Sequence, residues 1–128
     1  MSTLTIFRIE NPTTMHGMWY DQHGNFDPAI HRLCPNSPSK DLPMPECMDH
    51  NLNGKQWYSA GKSIDNMQHW FSREDAERLV SHGFRLYQFV VSEFQVKELE
   101  VLFTREGVVS QVEISIDKVW PKCSTTTL

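Results

Sequence analysis

Glu98, Glu100 and Glu113, with Gln111 beside them, fall in a C-terminal stretch that otherwise alternates apolar and polar side chains. Successive side chains of an extended chain point to opposite faces, so Leu99, Val101 and Phe103 share one face and Glu98 and Glu100 the other. In the next segment Val108, Val112 and Ile114 point inward and Gln111 and Glu113 outward. Thr104-Arg105-Glu106-Gly107 has the composition of a turn, and a hairpin closed there would set Glu100 opposite Gln111 and Glu98 opposite Glu113. Like charges directly opposed in a sheet are destabilising unless a cation, a partner or a shared proton relieves them. The patch reads in one of two ways, as a solvated outer face or as an acidic catalytic face.

A second set of residues suits a metal. His31-Arg-Leu-Cys34 and Cys47-Met-Asp-His50 are two dyads at the spacing that lets both side chains reach one tetrahedral ion, and thiolate with imidazole suits zinc. A zinc at His31, Cys34, Cys47 and His50 would be structural, closing a loop with few apolar anchors; the other reading is four unliganded loop residues. The chain has three cysteines, an odd number that argues against a disulfide framework. Ala60-Gly61-Lys62-Ser63 matches the end of a phosphate-binding loop, but Gln56 stands where that motif needs glycine and no hydrophobic strand is expected before it. His16, His23, His69 and His82 have no Ser or Cys partner at a recognisable spacing, so no nucleophilic triad is indicated.

The elements that must carry these residues are written in periodicity and punctuation. The 128 residues, with 39% hydrophobic and 22% charged, fit one compact domain over residues 1–120, and 121–128 read as a flexible tail. Leu4 to Ile9 is β-branched and aromatic and reads as a strand ending before Asn11-Pro12. A short second strand is expected near Trp19-Tyr20. Five of the seven prolines lie in residues 27–55, which read as one long loop. Ser63 caps a short helix with Ile64, Met67 and Phe71 on one stripe. Ser72 caps a clearer helix with Ala76, Leu79 and Val80 on its stripe and Gly83 as its left-handed stop. Period-two patterning then predicts strands over Phe84–Val91, Val96–Phe103 and Val108–Asp117. The sum is an α+β fold: one twisted, mainly antiparallel sheet of roughly five or six strands, one or two helices on it, and the proline-rich loop over one face.

Composition also bounds function. Twelve Lys and Arg against 16 Asp and Glu leave a formal charge of −4, which gives no positive field to draw the chain to nucleic acid or an anionic membrane. No run of eighteen apolar residues and no basic-then-apolar start is present, so a cytoplasmic protein with neither membrane span nor signal peptide is expected.

Phe7-Arg8-Ile9-Glu10, Gly17-Met-Trp-Tyr20, Pro43-Met-Pro45 with Asp49, Ser63 to Trp70-Phe71, and Gly83-Phe84 leading into Tyr87-Gln-Phe-Val, spread across residues 4–103, together resemble a group of small proteins encoded by bacteriophages and their hosts. The resemblance implies a phage or prophage origin, the host cytoplasm as location and a host bacterial protein as partner. Glu98-Leu-Glu100-Val-Leu-Phe103 followed by Val108 to Glu113 also resembles the Glu-x-Glu strand of arginine-modifying ADP-ribosyltransferases. That likeness implies NAD as cofactor, with Arg8 as the first-strand contact, Ser72 as the middle residue, Glu100 as the catalytic acid and Glu98 as the substrate-side acid. Trp19 and Tyr20 could stack on the nicotinamide or adenine ring. A carboxylate on the ribose would stabilise the positive charge that develops as the nicotinamide bond breaks. Two functions are therefore expected as alternatives: an ADP-ribosyltransferase-like protein that modifies a host protein, or a non-catalytic inhibitor that binds one, in host takeover or anti-defence, with zinc as a further stabiliser.

Overall fold

The computed structural model describes residues 2–15, 17, 50–52, 55–98 and 100–121. In chain order the elements are β1 (Leu4–Glu10), β2 (His50–Leu52), β3 (Lys55–Ala60), α1 (Ile64–Trp70), α2 (Arg73–Ser81), β4 (Arg85–Val91), β5 (Phe94–Val96), β6 (Val101–Thr104), β7 (Val108–Glu113) and a 3-10 turn (Ile116–Lys118). They form an α+β domain. Among the described residues the strands make two antiparallel sheets rather than one, a three-stranded sheet in the order β1-β4-β7 and a four-stranded sheet in the order β2-β3-β6-β5.

Alternation along β1 explains how the layers meet. Leu4, Ile6, Arg8 and Glu10 share one face, and the register with β4 adds Phe89 opposite Ile6 and Tyr87 opposite Arg8. On this side Ile6, Phe89 and Val91 pack against Ala60, Val101 and Phe103 of the four-stranded sheet. Phe7 and Ile9 point the other way and, with Leu86, pack against Met67, Trp70, Phe71, Ala76 and Leu79 of the helical layer. The three-stranded sheet is thus the middle layer, and β1 is apolar at consecutive positions because both of its faces are covered. Gly61 ties the sheets together: its N–H donates to Phe7 O at 2.7 Å and its carbonyl accepts from Phe7 N at 3.0 Å. A Cβ at Gly61 would collide with Met67 Sδ and Cγ, so glycine leaves the room that the Met67 side chain of α1 fills.

The helices follow their local signals. Ser63 Oγ accepts from Asn66 N at 3.0 Å and opens α1. Ser72 Oγ accepts from Asp75 N at 3.1 Å while Asp75 Oδ2 accepts from Ser72 N at 3.2 Å, a reciprocal capping box at the head of α2. Gly83 follows α2 at φ 97°, the left-handed conformation that glycine adopts without a Cβ clash. Ser72→Ala is expected to lower the unfolding free energy by about 1 kcal/mol, read from urea denaturation, because the Asp75 N–H loses its acceptor, Ser72 Oγ.

The strands depart from the sequence pattern in five respects. His50–Leu52 and Lys55–Ala60 pair as strands, so the end of the expected 27–55 loop is sheet and a strand does precede Ala60-Gly61-Lys62-Ser63. The missing glycine at Gln56 remains the ground for setting that motif aside. The expected Val96–Phe103 strand is two strands, β5 and β6, joined by a turn in which Lys97 N donates to Glu100 O at 2.8 Å. β6 is interior to its sheet, with β3 on one side and β5 on the other, and has no free edge for β7. After Thr104–Gly107 the chain therefore crosses to the other sheet and pairs with β4, and the hairpin of opposed carboxylates does not form. A register shift at Val90/Val91 then turns β7 over: Gln111 lies opposite Phe89 and Val112 opposite Gln88. Val112 is exposed as a result, contrary to its expected inward place. Finally, Ile116–Lys118 is a 3-10 turn that seats Val119 and Trp120 in the helical core, so the last strand ends at Glu113. Trp19, Tyr20 and the expected tail after Pro121 lie outside the described residues.

Candidate functional site

The residues expected to bind NAD and transfer ADP-ribose do not converge. Arg8 faces the four-stranded sheet, where its Nη1 donates to Ser59 O at 2.5 Å. Ser72 heads α2, whose Ala76 and Leu79 pack on the opposite face of the middle sheet. Both of Ser72's polar groups are used in the capping box. Glu98 and Glu100 sit in the β5–β6 turn, and the exposed Glu98 is bound through its backbone: Lys62 Nζ donates to Glu98 O at 2.6 Å and to Lys97 O at 3.1 Å. The middle sheet therefore separates Ser72 from Arg8. Trp19, Tyr20, His31, Cys34 and Cys47 lie outside the described residues, and of His50 only the backbone, as the first residue of β2, is described. No group of three or more metal-ligating side chains occurs among the described residues.

What the fold does assemble is a buried charge cluster at one end of the seam between the sheets. β1 supplies Arg8 and Glu10, two residues apart on one face, and the turn after β6 supplies Arg105. Glu10 is 1% exposed, and its Oε1 accepts from Arg8 Nε at 2.7 Å and from Arg105 Nη2. Asn11 caps the turn that follows β1, its Oδ1 accepting from Thr13 N at 2.8 Å. Met15, at φ 64°, ends that turn and presents its carbonyl to Arg8 Nη2 at 3.1 Å. Aromatic rings line the seam. Arg8 lies over Tyr58 at 5.4 Å from the ring centre, and Arg105 lies over Tyr58, Phe89 and Phe103 at 4.8, 5.2 and 5.4 Å. Burial lowers the pKa of the Arg8 guanidinium, the nearby Glu10 carboxylate opposes that shift, and Arg105 adds to it.

Sequence reading found Arg8 and missed its partners. The Arg8-x-Glu10 spacing is a legible signal for an ion pair on one strand face, whereas Arg105 lies 95 residues from Glu10 and carries no local mark.

Glu100 stands apart from this cluster as a half-buried carboxyl. Its Oε1 is buried with no hydrogen-bond partner. Burial pushes its pKa up from 4.5 to about 7, with Lys97 pulling the other way. A carboxyl held protonated by the fold contributes stability that is complete below pH 4.5 and is lost as pH rises through about 7. Glu100→Gln, which imitates the protonated form, is expected to leave the urea midpoint unchanged at pH 4 and to raise stability at pH 8 by about 1 kcal/mol, since water at its exposed side screens the charge. An equal difference at both pH values would show that Glu100 does not titrate in this window.

The third feature is the outer edge of β7. β7 ends the β1-β4-β7 order, with one ladder to β4 and, among the described residues, none on its other side. Val109 and Val112 are 62% and 54% exposed on it. Such an edge carries unpaired backbone donors and acceptors beside apolar side chains.

Compared with known families, the chain matches the one described as Bacteriophage T4 Y00F protein, over residues 1–117. No curated protein and no solved structure matches it.

Proposed function

This chain belongs to the Bacteriophage T4 Y00F protein family, and we propose that it acts by binding a protein of the bacterial host, in host takeover or anti-defence, through the edge of β7. The observation that carries this reading is the pair of exposed valines, Val109 and Val112, on a strand edge that is unpaired among the described residues. An edge of this kind accepts a strand from a partner, with backbone hydrogen bonds giving affinity and side chains giving selectivity. β7 holds no Lys, Arg or Pro, and what opposes such pairing is confined to Glu113 at its end and the register shift beside Val109.

An ADP-ribosyltransferase reading draws on Glu100, whose carboxyl is buried on one oxygen and titrates near neutrality. It requires Arg8, Ser72 and Glu100 in one cleft, and in the described fold Ser72 is a helix cap across the middle sheet from Arg8. We therefore favour binding over transfer.

Affinity capture from host lysate with wild-type protein and with a Val109→Lys/Val112→Lys variant tests the proposal. A host protein held by the wild type, rebound after purification and weakened at least about tenfold by the double substitution supports it. Equal binding by both would remove the β7 edge from the interaction. Labelled NAD incorporated into host proteins by the wild type and not by Glu100→Gln would instead favour the transferase. Metal content of protein purified without chelator decides the zinc reading of His31, Cys34, Cys47 and His50, which a far substoichiometric value would remove.

A further inference from the structure

Among the described residues the charge cluster between the sheets does not balance. Arg8 and Arg105 are two fixed positive charges, and Glu10 is the one carboxylate that they share. Arg8 is 7% exposed and Glu10 1%, so water compensates little of the surplus. Arg105 is where the surplus can be met from outside. Its side chain is 20% exposed, its Nη2 donates to Glu10 and to Met15 O at 3.4 Å, and its Nε is buried without an acceptor. Its Cζ also lies 4.8, 5.2 and 5.4 Å from the ring centres of Tyr58, Phe89 and Phe103, so aromatic rings confine the guanidinium. A guanidinium anchored at one nitrogen, confined among aromatic rings and left with an unfilled donor is preorganised for a planar or tetrahedral oxyanion, because little side-chain entropy remains to be lost on binding.

We propose that Arg105, oriented by Glu10 and by the aromatic rings beneath it, anchors an oxyanion-binding site that takes a phosphate or carboxylate group. Arg8 is a positioning residue: it fixes Glu10, and through Glu10 the plane of Arg105. The inference does not depend on docking at β7.

Titration with inorganic phosphate, acetate and chloride at constant ionic strength tests it, followed by the Arg105 Nε–H resonance and by the thermal unfolding midpoint. Phosphate, acetate or both should move that resonance saturably and raise the midpoint, while chloride does neither. The anion that acts identifies the source chemistry, phosphoryl or carboxyl. Arg105→Gln leaves Arg8 and Glu10 as a neutral pair and should abolish the stabilisation; Arg105→Lys keeps the charge but not the fork and should weaken it at least about tenfold. Lys118→Gln, an exposed change away from the cluster, should leave it intact. The proposal fails if no anion moves the wild-type signal, if Arg105→Gln responds as the wild type does, or if Arg105→Lys binds as tightly as arginine. The last comparison decides the matter should Arg105→Gln not fold.

Discussion

Glu10→Gln is expected to destabilise the fold by about 3–5 kcal/mol, a large part of the roughly 5–15 kcal/mol that holds a domain of this size. The side chain is 1% exposed and accepts from both Arg8 and Arg105, so the amide would leave two guanidinium charges in the seam with no opposing charge. Most of the expected loss is the cost of stranding those charges rather than the worth of the hydrogen bonds themselves. A second substitution separates the two contributions. Arg105→Gln added to Glu10→Gln removes one stranded charge and should recover part of the loss, so the two changes should be non-additive by 0.5 kcal/mol or more, as is usual for groups in one network. Urea denaturation of the two single variants and the double variant measures this. A loss below about 1 kcal/mol for Glu10→Gln would mean that water reaches the cluster far more than its burial indicates.

Phe89→Ala should cost a similar amount, about 3–5 kcal/mol, for an unrelated reason. Phe89 lies on β4, the centre of the β1-β4-β7 sheet, and is fully buried against Phe103 at 5.2 Å and Tyr87 at 6.1 Å between ring centres. Two sheets meet over this ring, and neither can move in to fill the space it leaves, because both are held in register by ladders on either side. The ring also supports Arg105, so the variant should lose part of the oxyanion response along with its stability. Val112→Ala is the natural comparison: it removes apolar atoms from the same sheet at a site 54% exposed and should change stability by no more than about 0.5 kcal/mol. Equal losses at the two positions would place the core elsewhere.

These two residues differ in how visible they are in the chain. Phe89 falls in a period-two strand, Phe84 to Val91, that can be read directly, and its inward place follows from alternation. Glu10 reads as the polar end of the first strand, and nothing local says that it is buried. Its burial depends on Arg105, which comes from a turn 95 residues later. The same limit governs the acidic stretch. Glu98, Glu100 and Glu113 look like one face if β6 and β7 are neighbours, since a turn such as Thr104–Gly107 serves a hairpin and a crossing between sheets equally well. The tertiary arrangement puts Glu100 half-buried in one sheet's turn and Glu113 beside Arg85 in the other sheet, 3.7 Å from its Nε.

The amino-acid sequence alone therefore settled the elements whose signals are short in range: β1, both helices with Ser63 and Ser72 as caps, Gly83 as a stop, and β4. Caps, stops and side-chain periodicity act within a turn or a few residues, so their physics is complete inside the segment that shows them. Which strands pair, where β7 shifts its register, and which charges meet in the seam were decided only when the sheets packed. Those choices depend on which edges are already occupied and on which faces must leave water, and both are properties of the whole fold rather than of any stretch of chain.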